Sequence, residues 1–186
     1  RRPDHQRVLV EQFHEGPQFS VEAFSECGEH QVVAVTRKFS DPANFVELGH
    51  VAPADLSTAQ EESIHTYVTR VLDAVGVEFG ATHTEVVLTP AGPRVIETHV
   101  RMGGDEIPSL AFDATGVDLA ECVVRQTVGE KVLPGIRPFS PRSGRPAVPR
   151  SGSPPCPSRV SLPTSADSTT RESRGRHRRP TPGPAG

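Results

Sequence analysis

The sequence predicts an α+β domain over residues 1–136, an antiparallel sheet with helices packed on one side, followed by a disordered tail over residues 137–186. Three observations lead there. Short segments of alternating apolar and polar residues come in pairs around turn formers. One stretch repeats its apolar residues at helical spacing between a start and a stop signal. Composition then changes abruptly: the 186 residues carry a net charge of −3, yet residues 137–186 hold ten Arg, no Lys and two acids, or +8. Residues 1–136 are left with ten basic and twenty-one acidic residues, or −11. The last fifty residues also carry eleven of the nineteen Pro and a single aromatic, Phe139. Such a segment buries too little apolar surface to offset its chain entropy. A second globular domain is thereby excluded, and the net charge of the whole chain says nothing about partners.

The elements follow in order. Residues 8–13 read as a short strand ended by Glu15-Gly16-Pro17. Residues 19–25 alternate, with Phe19, Val21, Ala23 and Ser25 on one face and Ser20, Glu22 and Phe24 on the other. A turn at Glu26-Cys27-Gly28-Glu29 joins them to a strand over 30–39, making a hairpin. Residues 40–55 read as Pro-rich and irregular. Ser57 and Gln60 have capping-box spacing, Ile64, Val68, Val71, Leu72 and Val75 follow at helical spacing, and Gly76 supplies the stop. A second hairpin runs from the latter half of 77–88 through Thr89-Pro90-Ala91-Gly92-Pro93 into 94–100. Short helices are expected over 105–114 and 117–126, separated by Thr115-Gly116.

Several function classes are set aside early. The longest aliphatic run is Val32–Val35, far short of the ~20 residues of a membrane helix. No charged and apolar leader opens the chain, and three scattered cysteines (Cys27, Cys122, Cys156) lack metal or redox spacing. They suit a cytoplasmic protein in which Cys27 and Cys122 are small packing residues. There is no Gly-x-Ser-x-Gly, no Walker A and no Cys/His pair at catalytic spacing. The tail arginines are spread among Pro and Ser without interleaved aromatics, which argues against nucleic acid as partner.

The second hairpin carries the strongest chemical signal. With its turn centred on Ala91, Glu85 faces Glu97 and His83 faces His99. Period-two alternation projects these four and Arg101 from one face, and Val86, Leu88, Ile96 and Val100 from the other, as a core face. Directly opposed glutamates have Cβ atoms only ~4.5–5.5 Å apart, and their like charges repel. A divalent cation offsets that most simply, since Mg²⁺ accepts few protein oxygens and keeps phosphate and water. The alternative is a pair of Glu splayed on a solvated face, and a slip of one residue would separate them. Arg101-Met102-Gly103-Gly104-Asp105 follows at once, a cation beside a Gly-rich backbone open to an anion, with Asp105 at the head of a helix.

At this point the chain resembles the C-terminal part of the ATP-grasp superfamily. The matching pieces are Val8-Leu9-Val10-Glu11-Gln12-Phe13, Glu15-Gly16-Pro17-Gln18-Phe19-Ser20-Val21-Glu22, Thr36-Arg37-Lys38-Phe39, Glu85, and Glu97-Thr98-His99-Val100-Arg101-Met102-Gly103-Gly104-Asp105. Within the superfamily it is most similar to carboxylate–amine ligases of the L-amino-acid ligase type, on Phe45-Val46-Glu47-Leu48-Gly49-His50 with Pro53. The resemblance runs from about residue 7 to 130. It implies that 1–136 is a partial ATP-grasp domain whose N-terminal lobe, with its Gly-rich phosphate loop, is missing and lies upstream of Arg1.

The resemblance also implies roles. Glu11, Gln12 and Phe13 form the hinge against adenine. Gln18 stands where the family usually has a ribose-gripping Glu, a departure that weakens the nucleotide contact. Lys38 reaches the nucleotide phosphates; read alone, it is a surface charge at a strand end. Glu85 and Glu97 hold Mg²⁺, with Mn²⁺ the alternative. His99 replaces the usual Asn, so a third ligand is open. Arg101 holds the transferring phosphoryl or acyl-phosphate group, Gly103 and Gly104 admit it, and Glu47 and His50 line the amino-acid side; His50 is otherwise an ordinary loop histidine. His5, His14, His30, His65 and His177 fall in no pattern and are read as solvated. The implied activity is ATP- and Mg²⁺-dependent joining of a small-molecule carboxylate, activated as an acyl-phosphate, to an amine. Amino acids are candidate substrates, and an oligomer is allowed. Two other readings stand beside it: a truncated, inactive remnant serving as a binding module, and a hydrolase with a transition metal on His83, Glu85, Glu97 and His99.

Overall fold

The computed structural model describes residues 8–44 and 46–136; residues 1–7, Phe45 and the tail, with His5, Cys156 and His177, lie outside the described residues. The first hairpin forms as its alternation implies: β1 (Gln18–Glu26) and β2 (Glu29–Ser40) pair antiparallel through the turn at Cys27 and Gly28. Cys27 sits in that turn with φ 55 rather than in the core, whereas Cys122 is free and buried. The stretch read as irregular contains an edge strand, β3 (Glu47–Val51), paired with β2. A cis Ala52–Pro53 bond follows it. The second hairpin is β4 (Gly80–Thr89) and β5 (Gly92–His99), and β4 also pairs with β1. The result is a five-stranded antiparallel sheet ordered β3-β2-β1-β4-β5.

Residues 8–13 are not a strand. They are irregular, and Val8, Leu9 and Val10 are more than four-fifths exposed. The physical reason is that an isolated strand has no partner for its peptide groups, and no described strand takes it into the sheet. Gly16 brings this segment onto β4; a Cβ there would lie 2.4 Å from the Leu88 carbonyl oxygen.

The long helix α1 (Thr58–Val75) has the expected cap. Ser57 Oγ accepts from the Gln60 N–H, and Gln60 Oε1 accepts from the Ser57 N–H at 3.0 Å. Gly76 closes it in the left-handed conformation. Ser57→Ala should lower the unfolding free energy by about 1 kcal/mol, read from urea titration, because orphan amides of the first turn lose their acceptor. Ile64, Val68 and Leu72 pack with Phe19, Val21, Ala23, Val35 and Val86 on one face of the sheet.

The other face is covered too, which corrects the expectation of helices on one side. Phe24, Val33 and Ala81 pack there with Leu119, Cys122, Val132 and Ile136, brought by α3 (Leu119–Thr127) and the short 3-10 turn Leu133–Gly135. Phe24 and Val33 explain this: they point away from α1 and need a second apolar cover. The helix α2 (Ile107–Thr115) begins two residues later than the sequence implies, because Asp105 and Glu106 adopt left-handed conformations with φ 49 and 59. Asp105 therefore does not head the helix.

Two histidines read as solvated are not. His30 Nδ1 lies 2.8 Å from Ser25 Oγ and its Nε2 3.4 Å from Asp73. Burial pushes His65 down to about 4. His14 is half-buried.

Candidate functional site

Strand register builds the site. Lys38 pairs with His50 on one side and Gln18 on the other. In the next row Thr36 pairs with Ser20, Ser20 with Glu85, and Glu85 with Glu97. In the third, Glu22 pairs with His83 and His83 with His99. Alternation puts these polar rows on the sheet face opposite α1. They continue the face whose far end is covered by α3.

The facing of Glu85 and Glu97 arises differently from the sequence expectation. Thr89 pairs with Gly92, so the turn is centred between Pro90 and Ala91, one half-step earlier. A bulge between Glu85 and Val86, with Ile96 as the extra residue, restores the expected register beyond it. Ile96 and Val100, assigned to the core face, are exposed at 42% and 66%. A bulge re-aims the strand that carries it, and a second, with Val33 of β2 as the extra residue, lies opposite Glu22 and Ala23 of β1. Both flank carboxylates of the site.

Buried Lys38 is the hub. Its Nζ is joined to Glu47 and lies 2.6 Å from Glu85 Oε1. Burial alone would lower its pKa, but the two carboxylates outweigh that and raise it. His83, also buried, presents Nδ1 to Glu22 Oε1 at 2.5 Å and Nε2 to Glu85 Oε1 at 3.4 Å. Burial again opposes the charged form, yet the two carboxylates hold it at about 9. Glu85 is drawn down to about 2, chiefly by its hydrogen bond to His83, against burial and with help from Lys38. The repulsion between Glu85 and Glu97 is therefore offset by the protein's own cations. A bound metal is not required to explain the pair, contrary to the sequence argument.

The remaining candidates are distributed as follows. Glu47 and His50 sit together on β3, His50 Nε2 being 3.5 Å from Glu47 Oε2. His99 Nε2 lies 3.2 Å from Glu97 Oε1, and its ring stacks at 6.4 Å on that of His83. Phe13, Gln18 and Lys38 line a cleft of about 550 Å³ together with His14, Phe39 and Leu48. Glu11 and Gln12 are exposed outside it. Arg101 is exposed, donates to the Met102 carbonyl at 2.8 Å, and has no carboxylate partner among the described residues. Gly103 donates its N–H to Glu22 Oε2 at 3.3 Å, and Gly104 is exposed.

Sequence reasoning gave Glu22 no role. The available signal was a charged residue in phase with Gln18 and Ser20 inside an otherwise apolar strand. For His83 the sequence pattern suggests only a metal ligand. The geometry speaks against the hydrolase reading at that point: both ring nitrogens of His83 are turned to carboxylates, Nδ1 to Glu22 and Nε2 to Glu85. Among the described residues, no group of three or more His, Cys, Asp or Glu is gathered to hold a metal ion. The donor set that remains, carboxylates of Glu85 and Glu97 with a lysine beside them, suits a hard cation sharing its coordination with phosphate and water. Among the described residues, no helix is long and apolar enough to cross a membrane.

Comparison with known proteins gives the following relatives. The sequence profile of the ATP-grasp domain matches residues 2–109. A protein called uncharacterized protein y4rH from Sinorhizobium fredii is 34% identical over 124 residues, covering 67% of this chain and 25% of that protein. Human carnosine synthase 1 is 33% identical over 101 residues, covering 54% of this chain and 12% of the synthase. The crystal structure of an L-amino acid ligase from Bacillus licheniformis superposes with a TM-score of 0.62 at 30% identity, over 68% of this chain and 34% of that one. The chain thus spans about a third or less of each of these relatives.

Proposed function

This chain belongs to the ATP-grasp domain family, and on that premise we propose that it is the nucleotide- and metal-facing part of a carboxylate–amine ligase. The observation that carries the reading is the position of Lys38. It lines the cleft beside Gln18 and Phe13, and the same ammonium reaches Glu85 and Glu47. One buried cation thereby links a surface suited to a nucleotide with carboxylates suited to Mg²⁺ and with the strand that would face an amine. The likeness to an L-amino acid ligase and to carnosine synthase supports small-molecule carboxylate and amine substrates, amino acids among them.

The residues divide the work. Phe13 and Gln18 seat the nucleotide, with Glu11 and Gln12 on the approach to it. Glu85 and Glu97 hold Mg²⁺, or Mn²⁺, with His99 orienting Glu97; the metal supplies charge neutralisation at the phosphates. Lys38 and Arg101 oppose the charge that grows as a carboxylate takes the γ-phosphoryl group and ADP leaves. Gly103 and Gly104 admit the acyl-phosphate, and Glu47 with His50 orient the amine that attacks it, releasing phosphate. No nucleophilic side chain is required, because placing charges is the whole task of such a site.

Calorimetry of the chain with Mg·ATP tests this. Weak but measurable binding is expected from a stretch that spans a third or less of its relatives. Glu97→Gln should lower the affinity at least ~10-fold, since one ligand of a shared metal is lost. Binding that is unchanged by this substitution would overturn the assignment of Glu97.

A further inference from the structure

Glu22 is a carboxylate with no exposed surface in the middle of β1, and the chemistry above leaves it without a task. Its two oxygens reach two different parts of the molecule. Oε1 lies 2.5 Å from His83 Nδ1, on β4. Oε2 accepts the backbone N–H of Gly103, in the loop after β5. That loop can come so close only because position 103 has no side chain. A Cβ there would lie 2.8 Å from His83 Nδ1 and 3.1 Å from Glu22 Oε1. His83 in turn offers Nε2 to Glu85. Just beyond the loop, Asp105 and Glu106 hold positive φ in succession, a conformation that non-glycine residues keep only where their surroundings over-determine it.

We propose that Glu22 is a positioning residue: by holding His83 on one oxygen and the Gly103 main chain on the other, it sets the Arg101-to-Gly104 loop in one geometry against Glu85. The ligand that geometry serves is a phosphoryl or acyl-phosphate anion beside a metal-bound carboxylate. The identity of that ligand rests on the ligase reading; the tether does not. A rigid constellation is what such chemistry needs, because misplacement by about 1 Å can cost on the order of 100-fold in rate.

The Arg101–Met102 bond provides a direct readout, because trypsin cuts it when the loop opens. The Arg125–Gln126 bond, inside α3 and away from this loop, is the internal reference. In Glu22→Gln the amide keeps the size of the side chain but offers an N–H to a partner that is itself a donor, so one tether is lost. Cleavage at Arg101–Met102, followed by mass spectrometry on the full chain, should become about tenfold faster relative to Arg125–Gln126, since cleavage tracks the open population. An unchanged ratio, or parallel acceleration at both bonds, would overturn the proposal. Should Glu22→Gln not fold, Gly103→Ala displaces the loop sterically and must raise the same ratio, with the same outcome overturning the proposal if it does not. Mg·ATP added to the unaltered chain should slow cleavage at Arg101–Met102. Absence of that protection would count against the ligase reading while leaving the ratio to decide the tether.

Discussion

Lys38→Met should destabilise the domain by about 3 kcal/mol, the low end for removing one partner of a buried ion pair. The ammonium is almost fully buried between Glu47 and Glu85, and Glu47 is a third exposed, so water recovers part of the loss. Methionine preserves the volume of the stem, which isolates the charge. Urea unfolding at neutral pH reads the effect. Adding Glu47→Gln to Lys38→Met should restore part of the stability, because the second change removes a carboxylate that the first left unpaired. If Lys38→Met unfolds at the same midpoint as the unaltered chain, the network carries no structural load. Mg·ATP affinity should fall in parallel if Lys38 also faces phosphates.

Stability should also depend strongly on pH, with a plateau between about 4.5 and 6.5. His83 is held at about 9 in the folded chain against 6.5 for an ordinary imidazole. Its contribution is therefore complete below pH 6.5 and is lost as pH rises toward 9, amounting to about 3 kcal/mol. Glu85 is held at about 2 against 4.5, so its contribution is complete above pH 4.5 and is lost as pH falls toward 2. The two share one hydrogen bond, and their contributions are not added. Melting temperatures from pH 2 to 10 read both limbs. His83→Gln should flatten the alkaline limb; an alkaline limb that survives this change would assign the titration elsewhere.

Much of the fold was legible because its signals are local. The alternation of Phe19, Val21 and Ala23, the Ser57–Gln60 cap and the helical spacing of Ile64, Val68 and Leu72 each act within a few residues, and each formed the expected element. Residues 8–13 misled for the complementary reason: their pattern suits a strand, but a strand also needs a neighbour. Residues 47–51 erred the other way, since proline content hid a short edge strand whose pairing with β2 depends on distant residues.

The site was legible by residue type more than by connection. Glu85 and Glu97 face each other as the alternation implies, although a compensating bulge at Ile96 is what restores the register. Who neutralises them could not be read along the chain. Lys38 and Glu85 lie 47 positions apart, and Glu22 and His83 are separated by 61.

The sequence by itself determined the secondary-structure grammar, the apolar faces and the family to which the chain belongs. These follow from short-range periodicity and from motifs in a fixed order. Only the tertiary structure decided that the sheet is covered on both faces, that Lys38 and His83 stand as cations among three carboxylates, and that Glu22 ties the Gly103 loop to β4. The energy of a charge depends on the groups gathered around it in space and on the water they exclude, and neither is a property of any stretch of chain taken alone.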